Sequence, residues 1–187
     1  TRSAPLLCYL FVCRDRRKGE IMDDGPIFVI GTGRCGSTVV FEALSYHEDL
    51  AWFSNYDDRF PHTAIASIAP HLYSLPLLKN LPRGEKPQHR QGASRFNRLL
   101  PKPSECYEKW ETLCGRKFRR DYLVSTRATP AEQKRVHRAV RAAVTLQGKR
   151  HFAAKITGPS RIEYLHSIFP EARFIHVTRE PAAVIGS

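Results

Sequence analysis

Apolar residues fall in short runs separated by glycine and proline breaks, and Ile27-Phe28-Val29-Ile30 is the sharpest of these runs. Gly25-Pro26 precedes it and Gly31 follows it. A short, continuous, branched run of this kind predicts a strand buried on both faces of a parallel sheet. Val40, Phe41 and Leu44 then recur at helical spacing, so Ser37 to Ser45 reads as a helix reached through the loop Gly31 to Gly36. Thr129-Pro130-Ala131-Glu132 is a helix start, with Pro at the first helical position and Glu at the third. Val136, Val140, Ala143 and Val144 form its apolar stripe, and Gly148 is its stop. His151 to Ile156 predicts a second strand, and Arg161 to Phe169 a short helix ended by Pro170. Ala172 to Thr178 predicts a third strand, with another helix beginning at Pro181. Such alternation implies an α/β fold, a three-layer sandwich around a central parallel sheet.

Two stretches escape this pattern. Residues 60–103 carry seven of the 13 prolines and little periodicity, so 60–128 reads as an irregular insertion or a lid over a substrate site. Ala4 to Cys13 is apolar and is followed by Arg14-Asp15-Arg16-Arg17-Lys18. It reads as a buried strand or an ill-defined terminus, with the stub of a signal anchor as the weaker alternative, and residues 1–25 as an N-terminal extension. There is no starting Met, so the N-terminus reads as incomplete. No run approaches the ~20 apolar residues that span a bilayer.

Composition narrows the classes. With 187 residues, 42% of them hydrophobic, the chain can build one core and is not of disordered type. Its five cysteines (Cys8, Cys13, Cys35, Cys106, Cys114) show no C-x-x-C spacing, and their odd number argues against a disulfide scaffold. Reduced thiols and a cytoplasmic location are expected. The net charge of +12 is uneven: residues 1–58 carry −3, residues 59–127 carry +9 and residues 128–187 carry +6. A basic surface favours anionic partners without naming them. No recognition helix or stacking platform points to nucleic acid.

The chemistry concentrates in Gly31-Thr32-Gly33-Arg34-Cys35-Gly36-Ser37-Thr38, between the first strand and its helix. Backbone N–H groups at a helix N-terminus, backed by the helix dipole, attract phosphate or sulfate. Arg34 adds a permanent charge, and Ser37 and Thr38 add hydroxyls. Three readings compete. Gly31, Gly33 and Gly36 satisfy the dinucleotide fingerprint, whose acidic partner falls at Asp49 or, less well, Asp57. Gly31 and Gly36 followed by Ser37-Thr38 approach a Walker A loop, but Ser37 stands where its lysine belongs. Arg34-Cys35-Gly36-Ser37-Thr38 supplies a third order: basic residue, small residue, Gly and two hydroxyls.

That third order resembles the 5′-phosphosulfate loop of the sulfotransferase family that uses 3′-phosphoadenosine 5′-phosphosulfate. Cys35 replaces the usual Ser and reads as filler, and Ser37 replaces the first Thr. The segment Phe169 to Pro181 is similar to the family's 3′-phosphate segment, with Arg179 at the end of a strand and Ser187 eight residues later. The resemblance implies a P-loop-like phosphosulfate-binding loop, in which Gly33, Arg34, Cys35, Gly36, Ser37 and Thr38 hold the donor together with Arg179 and Ser187. It implies no metal. The acceptor is a hydroxyl of a carbohydrate, a small alcohol or a tyrosine, with an acidic or carbohydrate acceptor suggested by the basic 59–127 region. The stretch 60–128 becomes the acceptor-side lid.

Arg34 falls at the family position that stabilises the leaving phosphate, and Lys155 in Lys155-Ile156-Thr157-Gly158 at the one near the sulfuryl group. The catalytic base is missing from its family place, because the glutamate that tyrosylprotein sulfotransferases carry after the first helix falls at Ser54 or Asn55. Asp57 and Asp58 stand nearby and serve if burial raises a carboxyl pKa; His62 is a second candidate. His176 reads as packed inside its strand. Family members continue with further helices, so the chain reads as truncated beyond Ser187. A non-catalytic anion- or polyanion-binding relative and, more weakly, a P-loop kinase or ATPase remain the alternatives.

Overall fold

The computed structural model describes residues 7–11, 25–79, 81 and 99–180. Its strands are β1 (Leu7–Phe11), β2 (Ile27–Gly31), β3 (Leu50–Trp52), β4 (His151–Thr157) and β5 (Arg173–Thr178). They lie in one sheet in the order β1-β5-β2-β4-β3. The four strands β5, β2, β4 and β3 run parallel, and β1 closes one edge antiparallel to β5, Leu7 opposite Thr178. The helices are α1 (Ser37–Ser45), α2 (Asn55–Arg59), α3 (Tyr107–Cys114), α4 (Lys117–Arg120), α5 (Pro130–Gln147) and α6 (Ile162–Ile168), with a 3-10 segment over Ile65–Ser74.

Alternation along β2 builds the three expected layers. Phe28 and Val29 are both fully buried, yet successive strand residues face opposite sides. Phe28 packs with Trp110 of α3, Phe169 after α6 and Phe174 of β5, in a core that also holds Val136, Val140 and Val144 of α5. Val29 joins Phe41 of α1, Trp52 and Tyr73 on the other face. Each fully buried large side chain of this kind contributes about 2 kcal/mol.

Helix α5 starts and stops where the pattern predicts. Thr129 Oγ1 accepts from the Glu132 N–H at 3.3 Å while Glu132 Oε2 accepts from the Thr129 N–H at 2.8 Å. Gly148 ends it at φ 62°, in the left-handed region that glycine enters without penalty.

The pattern misses β3 and α2, and the stretch expected to be irregular holds the 3-10 segment, α3 and α4. Leu50–Trp52 is too short to show a period, and α2 lies directly behind it. The α2 cap pairs Ser54 with Asp57, an aspartate where the usual signature has Glu or Gln. Within 60–128, the 3-10 segment is tied down rather than loose. The Gln147 amide receives the Trp52 N–H at 3.2 Å and donates to the carbonyls of Trp52 and Ser67, both at 2.9 Å. The Tyr73 hydroxyl donates to the Pro101 carbonyl at 2.7 Å. Of Ala4 to Cys13, residues 7–11 form β1; the rest, and the helix expected from Pro181, lie outside the described residues. Among the described residues no helix is long and apolar enough to cross a membrane.

Candidate active site

Parallel pairing brings three chain exits to one edge. Gly31 ends β2 opposite Thr157 of β4 and Val177 of β5, so the glycine loop, the Thr157-Gly158 turn and Arg179 leave the sheet side by side. Open α/β sheets bind ligands at this carboxyl edge.

The loop is tightly built. A Cβ on Gly31 would stand 2.6 Å from Cys35 Sγ and 2.7 Å from the Val177 carbonyl oxygen, so only glycine fits. Cys35 is fully buried beneath it and can offer a ligand only its backbone. Arg34 is held exposed at φ 66°, a conformation that costs a non-glycine residue about 1 kcal/mol. Strain of this kind gathers at binding sites. Gly36 caps α1 at φ 96° without a side-chain bond, so the cap supplies no hydroxyl or carboxylate to the first-turn N–H groups. Around Gly33 the space is open. Ser37 is buried, and Thr38 is exposed at the mouth.

Lys155 is the hub of the contacts on the β4 side of the loop. Buried on β4, it donates from Nζ to Thr38 Oγ1 at 2.9 Å and pairs with Glu105 Oε1 at 2.7 Å. Thr157 Oγ1 donates to the other carboxylate oxygen of Glu105 at 2.8 Å, and the Tyr107 hydroxyl donates to the Thr157 carbonyl. Burial pushes the Glu105 carboxyl up. The hydrogen bond and charge of Lys155, with the Thr157 and Tyr107 hydroxyls, outweigh it and hold the group below the usual carboxylate range. Buried Arg161 fastens the floor, donating to the carbonyls of Phe118, Thr157, Pro159 and Arg119 and lying over the Tyr107 and Phe118 rings. A cleft of about 360 Å³ opens against Thr38, Lys155 and Glu105, with Glu42, Asp58, Lys102, Glu108 and Arg119 also on its walls.

The residues singled out from sequence separate into groups. Gly33, Arg34, Cys35, Gly36, Ser37 and Thr38 form the loop and the first turn of α1, with Lys155 against them. Arg179 follows β5 at the same edge and is exposed; Ser187 lies outside the described residues. The two base candidates part company. Asp57 is fully buried: one carboxylate oxygen accepts from the Ser54 N–H and hydroxyl, the other from the Ser67 hydroxyl, with Lys109 Nζ at 4.0 Å. Burial raises its pKa against the Ser67, Ser54 and Lys109 contacts. The raised pKa is the one a base would need, but the carboxylate is enclosed, and its contacts cap α2 and tie the 3-10 segment to it. Asp58 reaches the cleft, where its Oδ1 accepts from the Glu108 N–H of α3 at 3.0 Å, and burial raises its pKa as well. His62 is exposed and is not on the cleft wall. His176 is not packed away as its strand position suggests. It is half-buried and lines a second cleft, of about 190 Å³, beside Gly31 and Thr32.

Glu105 was not visible from the pattern. It lies 50 residues before Lys155 in the chain, inside the stretch expected to be irregular. The available signal was an acid two residues ahead of the amphipathic run Tyr107–Cys114.

Residues 26–187 match the model of the sulfotransferase family. The chain belongs to that family. No curated protein and no solved structure gives a significant match. The matched range takes in the glycine loop, Lys155, Arg179 and the whole parallel part of the sheet, so the chain carries an α/β fold consistent with its family on the elements described above.

Proposed function

We propose that this protein moves the sulfuryl group of 3′-phosphoadenosine 5′-phosphosulfate to an acceptor hydroxyl. The observation that carries the reading is the shared carboxyl edge of β5, β2 and β4, with Arg179, the glycine loop and Lys155 on three adjacent strands. Neighbouring strands are about 4.8 Å apart. That spacing suits a ligand with one phosphate at the loop and another toward Arg179, which is the chemistry of this nucleotide. The first-turn N–H groups of α1, Arg34 and Thr38 would hold the 5′-phosphosulfate, and Arg179 with Ser187 the 3′-phosphate.

The residues do the rest by position and charge. Arg34 stands to stabilise charge growing on the leaving phosphate. Lys155, with three N–H donors, can hold the sulfuryl oxygens while still touching Thr38. The cleft beside it lies away from Arg179, on the β4 side, and is the natural place for the acceptor. Its walls mix Glu42, Asp58, Glu105 and Glu108 with Lys102, Arg119 and Lys155. That balance supports an uncharged, carbohydrate-like hydroxyl compound over an acidic polymer. Calorimetric titration with 3′-phosphoadenosine 5′-phosphate, against ATP with Mg²⁺, tests the donor assignment.

A further inference from the structure

Transfer to a neutral hydroxyl needs a group that takes the acceptor's proton as the new bond to sulfur forms. That group must be ionised, must face the acceptor cleft, and must stand close to the first turn of α1. Asp57 fails on access, since every contact it makes is inside the protein. Asp58 faces the cleft, but its contacts run to Glu108 and Arg119 on the α3–α4 side, not to Lys155 or the first turn of α1. Glu105 meets all three conditions. Its carboxylate is half-buried on the cleft wall, 2.7 Å from the Lys155 ammonium that itself touches Thr38 in the first turn of α1.

We propose that Glu105 is the general base of the transfer, a role that rests on the sulfotransferase reading given above. The acceptor oxygen bonds to sulfur while the bond from sulfur to the donor's bridging oxygen breaks. The electron pair of that bond leaves on the 5′-phosphate, and the acceptor's proton passes to a Glu105 oxygen and then to water. Lys155 couples the two halves. In the described arrangement its charge holds Glu105 ionised and ready. As its N–H groups turn to the sulfuryl oxygens, its hold on the carboxylate slackens and the carboxylate becomes the stronger base. Thr157 keeps the other oxygen in place through the change.

The test compares two acceptors of similar size at mildly alkaline pH: p-nitrophenol, already largely ionised, and benzyl alcohol, which is not. A base matters for the second and much less for the first. In the full-length protein, Glu105→Gln should lower transfer to benzyl alcohol by about 100-fold or more, the usual worth of a general base. Transfer to p-nitrophenol should fall by far less, and affinity for 3′-phosphoadenosine 5′-phosphate should stay near that of the wild type. Glu105→Asp should recover part of the lost rate and guards against a merely misfolded variant. Equal losses for the two acceptors, or no loss for either, would overturn the assignment. If the wild-type protein fails to bind 3′-phosphoadenosine 5′-phosphate, the donor assignment falls instead.

Discussion

The Lys155 ammonium lies 2.9 Å from the Thr38 hydroxyl, joining the end of β4 to the first turn of α1 across 117 positions of sequence. The loop itself has Ser37 where a Walker A lysine would stand, and a neighbouring strand brings a lysine to the same turn. Lys155→Met keeps the apolar stem and removes the charge. Turnover is expected to fall by about 100-fold or more, the usual loss when a donor to developing charge is removed, with little change in nucleotide affinity. Steady-state kinetics beside calorimetry separates the two effects.

Arg179 is exposed at the end of β5, so its removal should spare the core. Charge-assisted bonds to a phosphate are worth about 1.5–3 kcal/mol. Arg179→Ala is therefore expected to weaken 3′-phosphoadenosine 5′-phosphate binding by roughly 10- to 150-fold, with an unchanged melting temperature. Unchanged affinity in the titration would remove its phosphate role.

Asp57 and Lys109 are both nearly inaccessible, and Lys109 Nζ also donates to the Thr63 carbonyl at 2.8 Å. Asp57→Ala strips the acceptor from Ser54 and Ser67 and leaves the lysine without its carboxylate. A loss of about 3 kcal/mol is expected in urea unfolding, and a smaller one for Asp57→Asn, which keeps an acceptor oxygen.

Glu132 supplies a pH signature. Burial pushes its carboxyl up, but the Lys117 bond at 2.8 Å and the Thr129 N–H and hydroxyl overcome this and bring it down to about 2 from 4.5. A folded-state value below the unfolded one means stability that is present above about 4.5 and lost as pH falls toward 2. Glu132→Gln should flatten that acid limb and cost about 1 kcal/mol at neutral pH through the weakened cap. Melting temperatures from pH 7 to pH 3 check both, and parallel curves for the two proteins would contradict the assignment.

What was legible in the sequence was local. Ile27–Ile30 announced a doubly buried strand because both of its faces are core, and Thr129–Glu132 announced a helix because a capping box is written in four residues. Leu50–Trp52 and Asn55–Arg59 were not legible, being too short to complete a period. The loop half of the site was readable for the same reason as the first strand: strand, glycines and helix are contiguous. The half around Lys155 and Glu105 was not. Glu105 reaches Lys155 only because residues 99–108 fold back against β4 and α2, and no spacing in the chain records that contact. Asp57 and Asp58 look alike in sequence, although one caps α2 from inside and the other faces a cleft.

The central claim is that the glycine loop and Arg179 bind the two phosphates of one adenine nucleotide. Calorimetric titration of the full-length protein with 3′-phosphoadenosine 5′-phosphate, and separately with ATP and Mg²⁺, tests it most directly. Saturable binding of the first, with at least tenfold weaker binding of the second, is the expected result. Tighter binding of ATP with Mg²⁺, or no binding of 3′-phosphoadenosine 5′-phosphate, would contradict the claim.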